Sequence, residues 1–463
     1  MQQFFRKHRP DYLITLSMVV LMLLGLVIIY AVSPALAERI NAGSQTGVLD
    51  HNHFMYRQLG YLGIGILAFI LTAFMPLEFW RKYRMQILVA GVALSALLVI
   101  LPSALTISVN GATRWINLGF ISFQPAELLK FGLVVFMAGF LATRIKQNSV
   151  DNRDETLIPL LIVLGLLAFL VVVAQKDMGT MFALLAIFLV SLFMAGVNRK
   201  HMSMIVGGIL AAGVLLVITF PHRMARILTF LNPEGDPNGA GYHINQALIA
   251  VGSGGFTGKG LGQSIQAFGY LPEAANDSIF AILAEKFGFI GTILVLAIFG
   301  FLFYRIIRVM ERAPTPFMRL LVAGVFGWLV AHTLVNIGAM LSILPLTGVT
   351  LPFLSFGGTS LLFIMAALGL VVNVSRYTVH GEITSLPESS SRADKRLSRL
   401  QTPKSRSPYI SVRFARFSAF FLAKFRLPAI TNKTLMEIEE KPNADTRGRR
   451  RLGGSRNPGI SYT

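Results

Sequence analysis

The chain alternates long apolar stretches with short polar connections. Segments 12–31, 59–80 and 157–174 are continuous apolar runs, close to the ~20 helical residues that cross a hydrocarbon layer. They do not alternate residue by residue, as the strands of a membrane barrel must. The same pattern predicts ten spanning helices, at 12–35, 59–80, 85–105, 126–144, 157–175, 178–196, 203–220, 278–303, 317–343 and 357–375. The expected fold class is an all-α polytopic membrane protein, because helices satisfy every backbone polar group within their own segment.

The connections set an orientation. Arg6, Lys7 and Arg9 precede the first helix, and Arg81-Lys82-Tyr83-Arg84, Arg144-Ile145-Lys146, Arg199-Lys200 and the stretch 305–319 follow even-numbered intervals. Placing all of them on the cytoplasmic face obeys the positive-inside rule. Both termini then lie there too. The outer face receives 36–58, 106–125, the turn Lys176-Asp177, 221–277 and 344–356. The large external loop between helices 7 and 8, 221–277, is the longest of these, and connections of that length usually carry function. Within it, 243–251 reads as a short helix at the membrane surface, followed by a Gly-rich run at 252–262.

Composition narrows the picture. The chain is 54% hydrophobic and 14% charged, against about 25% charged for a soluble domain. The net charge of +20 does not indicate a nucleic-acid partner, because 17 Lys and Arg against 7 Asp and Glu fall in 381–463 and most of the rest sit in short loops. No cysteine is present, which excludes disulfides and thiolate metal sites. Ala35-Leu36-Ala37 resembles a signal-peptide cleavage site. The apolar stretch before it exceeds the ~7–15 residues of a signal peptide, so a retained first helix is expected. The expected organisation is a cytoplasmic N-terminus at 1–11, a membrane domain at 12–376 and a basic cytoplasmic tail at 377–463. Within that tail, 410–428 carries Phe414, Phe417, Phe421 and Phe425 at helical spacing beside Arg413, Arg416, Lys424 and Arg426. This is the pattern of an amphipathic helix on an anionic membrane surface.

Ionisable residues in or beside apolar helices are costly, so each is a functional candidate. Glu127 and Lys130 open the fourth helix, Lys176 and Asp177 form an outer turn, and Arg223 and Arg226 follow the seventh helix. Asp277 precedes the eighth, with Glu285 and Lys286 two turns into it. All fall in the outer half. Glu127 and Lys130, spaced i, i+3, suit a structural ion pair equally well. The same holds for Glu285 with Lys286, and Arg223 and Arg226 suit lipid headgroups. Their convergence on one face suits a substrate with a phosphate-bearing head and a lipid tail. The Gly-rich run fits neither a P-loop nor a Rossmann pattern; close backbone packing or a groove wall is its expected use. Asp50-His51-Asn52-His53 reads as solvated surface, and no residue is assigned to a metal.

Several motifs in order then resemble one family. Gly111-Ala112-Thr113-Arg114-Trp115-Ile116, Gln124-Pro125-Ala126-Glu127-Leu128-Leu129-Lys130 and Lys176-Asp177-Met178-Gly179-Thr180 are three of them. Leu271-Pro272-Glu273-Ala274-Ala275-Asn276-Asp277 and the run 344–360 follow. Together these resemble the SEDS glycosyltransferases that polymerise cell-wall glycan strands, on the side of the FtsW-like division branch. The resemblance implies a peptidoglycan glycosyltransferase acting on lipid II and releasing undecaprenyl pyrophosphate in the bacterial cytoplasmic membrane, at the division septum. It implies a class B penicillin-binding protein (a transpeptidase), other division proteins and membrane lipids as partners. No organic cofactor is expected, and a divalent cation is left open. The carry-over places the catalytic carboxylate at Asp277. Arg223, Arg226 and Lys130 become candidates for pyrophosphate contacts, with Glu127, Lys176, Asp177, Arg114 and Glu273 as further substrate-binding candidates.

This chain departs from the family pattern in three places. Lys176 replaces a Pro, Ala275 a His, and Ser278 an aromatic residue. Two rival functions remain at this level. One is a lipid II flippase, which needs a polar path to the inner leaflet; the other is a scaffold that recruits the transpeptidase without catalysis.

Overall fold

The structure, a computed structural model, describes residues 8–43, 48–109, 112–119, 122–236 and 239–378. The expected tail helix at 410–428 and Gly111 lie outside the described residues. Helices α1 (Tyr12–Gly43), α2 (His53–Phe74), α3 (Leu77–Lys82) and α4 (Arg84–Ile100) open the chain. Strands β1 (Thr106–Val109), β2 (Ala112–Asn117) and β3 (Ser122–Phe123) follow, then α5 (Pro125–Lys146), α6 (Ile158–Ala168), α7 (Met178–Ala195) and α8 (Arg199–Thr219). Short helices α9 (Pro221–Leu231) and α10 (Ala240–Ser253) precede α11 (Ile279–Arg312), α12 (Pro316–Met340) and α13 (Gly358–Ser375). π-helical turns extend α6 at both ends, to Arg153 and Ala174.

Among the described residues nine helices are long and apolar enough to span a membrane. The apolar 17-residue α4 is a tenth, near the short end of what spans. The protein is a multi-pass membrane protein. The bundle is uneven: α5, α12 and α13 are mostly buried by their neighbours, whereas α8 is nearly bare. Asn373 of α13 donates to the carbonyls of Thr72 (2.9 Å) and Met75 (2.6 Å), satisfying acceptors left open at the end of α2.

Contacts sort the connections onto two ends. His8 N–H donates to the Arg376 carbonyl at 2.9 Å, and Asp11 pairs with Arg305 at 2.6 Å. Arg144 pairs with Glu155 at 3.1 Å, and Asp151 accepts from the Asn198 backbone at 2.6 Å. The basic connections and the described chain ends therefore share one end of the bundle.

Three details differ from the sequence-based expectation. Helix α1 continues to Gly43 instead of stopping near 35, because Glu38 and Arg39 sit on turns that emerge from the apolar layer and are exposed. The predicted helix 59–80 starts earlier and breaks at Pro76, which has extended ψ and begins α3. The outer connection 106–125 is not plain coil. The alternating Thr106-Ile107-Ser108-Val109 and Ala112–Asn117 segments pair antiparallel, and β3 adds to β2. The expected all-α membrane part thus carries a small sheet at its rim.

The large loop is built against α11. Gly288 breaks that helix with φ of 66°, in the left-handed region that favours Gly. The opened turn is filled by the Gly-rich run. Phe289 N–H donates to Gly255 O (2.9 Å), Ile290 N–H to Phe256 O (3.1 Å), and Lys259 N–H to Glu285 O (2.9 Å). Glu285 and Lys286 do not pair with each other in this arrangement. The fully buried Glu285 carboxylate accepts from Ser264 Oγ, the Ile265 N–H (3.0 Å) and Lys259 Nζ (3.3 Å), while Lys286 donates to Leu261 O at 2.6 Å.

Candidate active site

Asp277 ends a tight turn that delivers the chain into α11. The turn begins at Leu271 and contains Glu273 with φ of 50°. Its closing bonds run from the Asn276 N–H (2.9 Å) and Ser278 N–H (3.2 Å) to Glu273 O. Two neighbours fix it from outside. Asn336 of α12 donates to Asp277 O and to Val349 O, both at 2.7 Å, and the Phe356 N–H donates to Ala275 O at 2.8 Å. The turn is thereby locked to the 341–357 loop.

One oxygen of the Asp277 carboxyl, the buried Oδ1, has no hydrogen-bond partner in the protein. Gly348 lies beside Oδ2, where a Cβ would make an ordinary contact at 3.8 Å, and its φ of 71° is in the left-handed region that favours glycine. Burial pushes the carboxyl up to about 7, and the like charge of Glu273 pushes the same way; the Asp277 and Ser278 N–H groups oppose them. A carboxyl of this kind changes protonation near neutral pH, which suits a general base.

The other expected site residues fall into three groups. Asp177 caps α7, accepting from the Thr180 N–H (3.0 Å), Thr180 Oγ1 (2.8 Å) and Gln124 Nε2 (3.3 Å). Arg114 of β2 donates to Gln175 O (3.4 Å) and Lys176 O (2.6 Å), pinning the same turn. Arg226 is exposed and close enough to feel both Arg114 and Asp177. Lost solvation and the Arg114 charge lower its pKa, while Asp177 raises it. These residues form one charged rim. Thr347 and Val349 lie against Gly179, two residues past Asp177, so the loop whose Gly348 faces Asp277 also touches this rim.

The second group is sealed. Lys130 is 1% exposed, 2.8 Å from Glu127 Oε1 and 3.2 Å from His332 Nε2, and lies over the Trp328 ring. The structural pairing of Glu127 with Lys130 is the arrangement present, and neither side chain reaches the open face. Arg223 is the third case. It lies 4% exposed, stacks on Phe220 and donates to Val172 O at 2.6 Å, while its Nε and Nη1 have no partner. Val172 and Ile227 line an apolar cavity of about 930 Å³ between α6, α7 and α8.

Sequence reasoning missed His332 and Asn336. Both are polar positions four residues apart in an apolar helix, and that placement was a readable signal. It also missed His243, whose partner is 35 residues away and which no spacing rule reaches. Among the described residues, no three His, Asp or Glu side chains converge as a metal cluster.

Comparison with known proteins gives the family of the whole chain. The model of the FtsW/RodA/SpoVE family, described as cell cycle protein, matches residues 11–380. The chain belongs to this family. Stage V sporulation protein E of Bacillus subtilis (strain 168) is 36% identical over 375 residues, covering 81% of this chain and 99% of that protein. A Thioalkalivibrio sulfidiphilus protein named "Probable peptidoglycan glycosyltransferase FtsW" is 37% identical, covering 80% and 91%. A solved structure described as "Structural coordination of polymerization and crosslinking by a peptidoglycan synthase complex" matches with a TM-score of 0.63 and 25% identity. It covers 80% of this chain and 99% of that one. The crystal structure of Thermus thermophilus rod shape determining protein RodA matches with a TM-score of 0.55 and 25% identity, covering 80% and 98%.

In this FtsW/RodA/SpoVE protein the turn before α7 places a non-glycine residue at positive φ. Lys176 has φ of 53°, which the Pro expected there cannot adopt.

Proposed function

We propose that this protein is a peptidoglycan glycosyltransferase that polymerises lipid II into glycan strands during bacterial cell division. The observation that carries the reading is the half-buried Asp277, whose Oδ1 has no hydrogen-bond partner, on a turn tied through the 347–349 loop to the charged rim. The positive-inside rule makes that end of the bundle the outer one, since the basic connections occupy the other.

The reaction follows from the residues. Asp277 as carboxylate takes the proton from the acceptor sugar 4-hydroxyl as its oxygen attacks the donor anomeric carbon. The anomeric bond to pyrophosphate breaks with inversion, and undecaprenyl pyrophosphate leaves as an anion. Arg226 and Arg114 hold and stabilise that anion. Arg223, with two open donors, supplies a further contact deeper in. The apolar cavity beside Val172 and Ile227 accommodates part of the polyprenyl chain. Lys176 and Glu273 flank the two turns and order the substrate's polar head. Buried Glu127 and Lys130 act from beneath, keeping the α5–α12 contact rigid under the site.

A class B penicillin-binding protein is the proposed partner. A solved structural neighbour is described as a complex coordinating polymerisation and crosslinking, which supports this assignment. The proposed location is the cytoplasmic membrane at the division septum. The test uses the purified full chain with its transpeptidase partner and labelled lipid II, resolved on a gel. Glycan strands are expected. Their absence from an intact complex leaves the scaffold reading in place, and lipid II translocation without strands leaves the flippase.

A further inference from the structure

Ser278 stands at the N-cap of α11, where a serine hydroxyl usually accepts from a backbone N–H of the first turn. Here it makes no such bond. Its Oγ donates to Pro272 O at 2.8 Å and lies 2.6 Å from His243 Nε2. With its hydrogen directed to Pro272, the oxygen accepts, so His243 carries its proton on Nε2. The bond joins the first turn of α10 to both ends of the 272–278 turn, next to Asp277.

The local sequence makes room for this contact. Ser278 is fully buried and small, and a larger side chain there would occupy the space of the His243 ring. At 275 the chain has only the buried methyl of Ala275. No other imidazole is hydrogen-bonded within the described part of this turn. We propose that His243 is a positioning residue, which through Ser278 holds the 272–278 turn so that the Asp277 carboxylate faces the acceptor hydroxyl. This rests on the reading of Asp277 as the base. Burial lowers the imidazole pKa to about 4, so the ring is neutral at working pH, and the bond to Ser278 selects the tautomer with its one proton on Nε2.

The test compares His243→Leu, which keeps bulk without a donor, with His243→Gln, whose amide can reach Ser278. Full-length protein with its transpeptidase partner is assayed on labelled lipid II. In His243→Leu, kcat falls on the order of tenfold while KM changes less than about twofold. His243→Gln restores most of the loss. Ser278→Ala combined with His243→Leu costs less than the two single losses together, because the His243–Ser278 bond is counted in both, while the Ser278–Pro272 bond is lost only with Ser278→Ala. Equal kcat in the Leu and Gln variants overturns the proposal, and so does a loss confined to KM. Hydrogen exchange over 271–278 supplies an arm independent of activity: faster exchange in His243→Leu than in His243→Gln is expected, and identical exchange overturns it. Wild-type protein without polymerase activity would sink the glycosyltransferase reading, while the exchange arm would still decide whether His243 holds the turn.

Discussion

The two carboxylates nearest the heart of this protein live under opposite rules. Glu127 sits inside α5 with Lys130 at 2.8 Å, and Lys130 is shared with His332 and the face of Trp328. Asp277 sits on a turn that Asn336 holds through the Asp277 backbone carbonyl; the Asp277 and Ser278 N–H groups reach its carboxyl, and Oδ1 has no partner. The distance between the two environments is short in chain terms, since His332 and Asn336 occupy successive turns of α12. One turn of that helix serves a closed ionic cluster, and the next frames an open carboxyl. Each carboxylate leaves one buried oxygen without a hydrogen-bond partner, Glu127 Oε2 and Asp277 Oδ1. What separates them is the cation, since Lys130 neutralises Glu127 at 2.8 Å and no described ion pair does the same for Asp277. A carboxyl without an internal counter-charge is available to a ligand.

Asp277→Asn breaks the open side of the comparison and has the largest expected effect. Loss of a general base costs about 10²–10⁴-fold in polymerisation rate, read as strand synthesis by purified complex, with fold and membrane insertion retained. Stability supplies the complementary measurement. The Asp277 pKa is raised from 3.8 to about 7, so the folded state binds this proton more tightly than the unfolded chain. Stability from this group is greatest below about pH 4, falls as pH rises toward 7, and levels off above that. The Asn variant should lose this slope in thermal melts. Near-normal strand synthesis by Asp277→Asn would end its assignment as base.

Lys130→Met breaks the closed side. It leaves the buried Glu127 carboxylate without its cation, and removing one partner of a buried pair costs about 3–5 kcal/mol. The expected readout is a large drop in melting temperature and in recovery of folded protein, contrasting with the preserved fold of Asp277→Asn. A stable Lys130→Met protein that folds normally but cannot use substrate would move Lys130 from the closed group to the open one.

How much of this contrast the sequence carried depends on the residue. The spans were legible because apolar runs of this length have one use, and α4 to α8 and α10 to α13 fall close to where the pattern put them, whereas α9 was not foreseen. The rim sheet was not, because two four-to-six-residue alternating segments are too short to stand out from a polar connection. Asp277 was legible through its motif, which says where the carboxyl is and nothing about its environment. Lys130 was ambiguous for a physical reason: i, i+3 spacing to Glu127 is the same whether the lysine pairs inward or faces a ligand. Only burial separates the two. The His243–Ser278 bond depends on how α10 docks on α11, which no local pattern encodes.

Arg226→Ala tests whether the exposed rim belongs with the open carboxyl. A lost charged hydrogen bond to pyrophosphate costs about 1.5–3 kcal/mol, so kcat/KM for lipid II should fall on the order of 10- to 150-fold. The melting temperature should stay close to that of the unmodified protein, because Arg226 is exposed. Kinetics unchanged by this substitution would return Arg226 to contact with lipid headgroups.

Glu273→Gln gives the smallest effect and the sharpest view of how the open carboxyl is tuned. Glu273 is exposed, and its charge raises the Asp277 pKa second only to burial. Removing that charge while keeping the side-chain length lowers the Asp277 pKa. The acid limb of the pH–rate profile, expected near 7 in the unmodified protein, then moves to lower pH. At pH 6 a larger fraction of Asp277 is ionised in the variant, so its activity relative to wild type rises above one; at pH 8.5, where both are ionised, the ratio should approach one. Glu273 also accepts a hydrogen bond from Asn276 Nδ2, and Gln retains an acceptor oxygen for it, so turn geometry is preserved. A ratio that is the same at both pH values would mean that Glu273 affects the turn or the substrate and not the charge state of Asp277. A limb that moves upward would contradict the electrostatic account of the open site altogether.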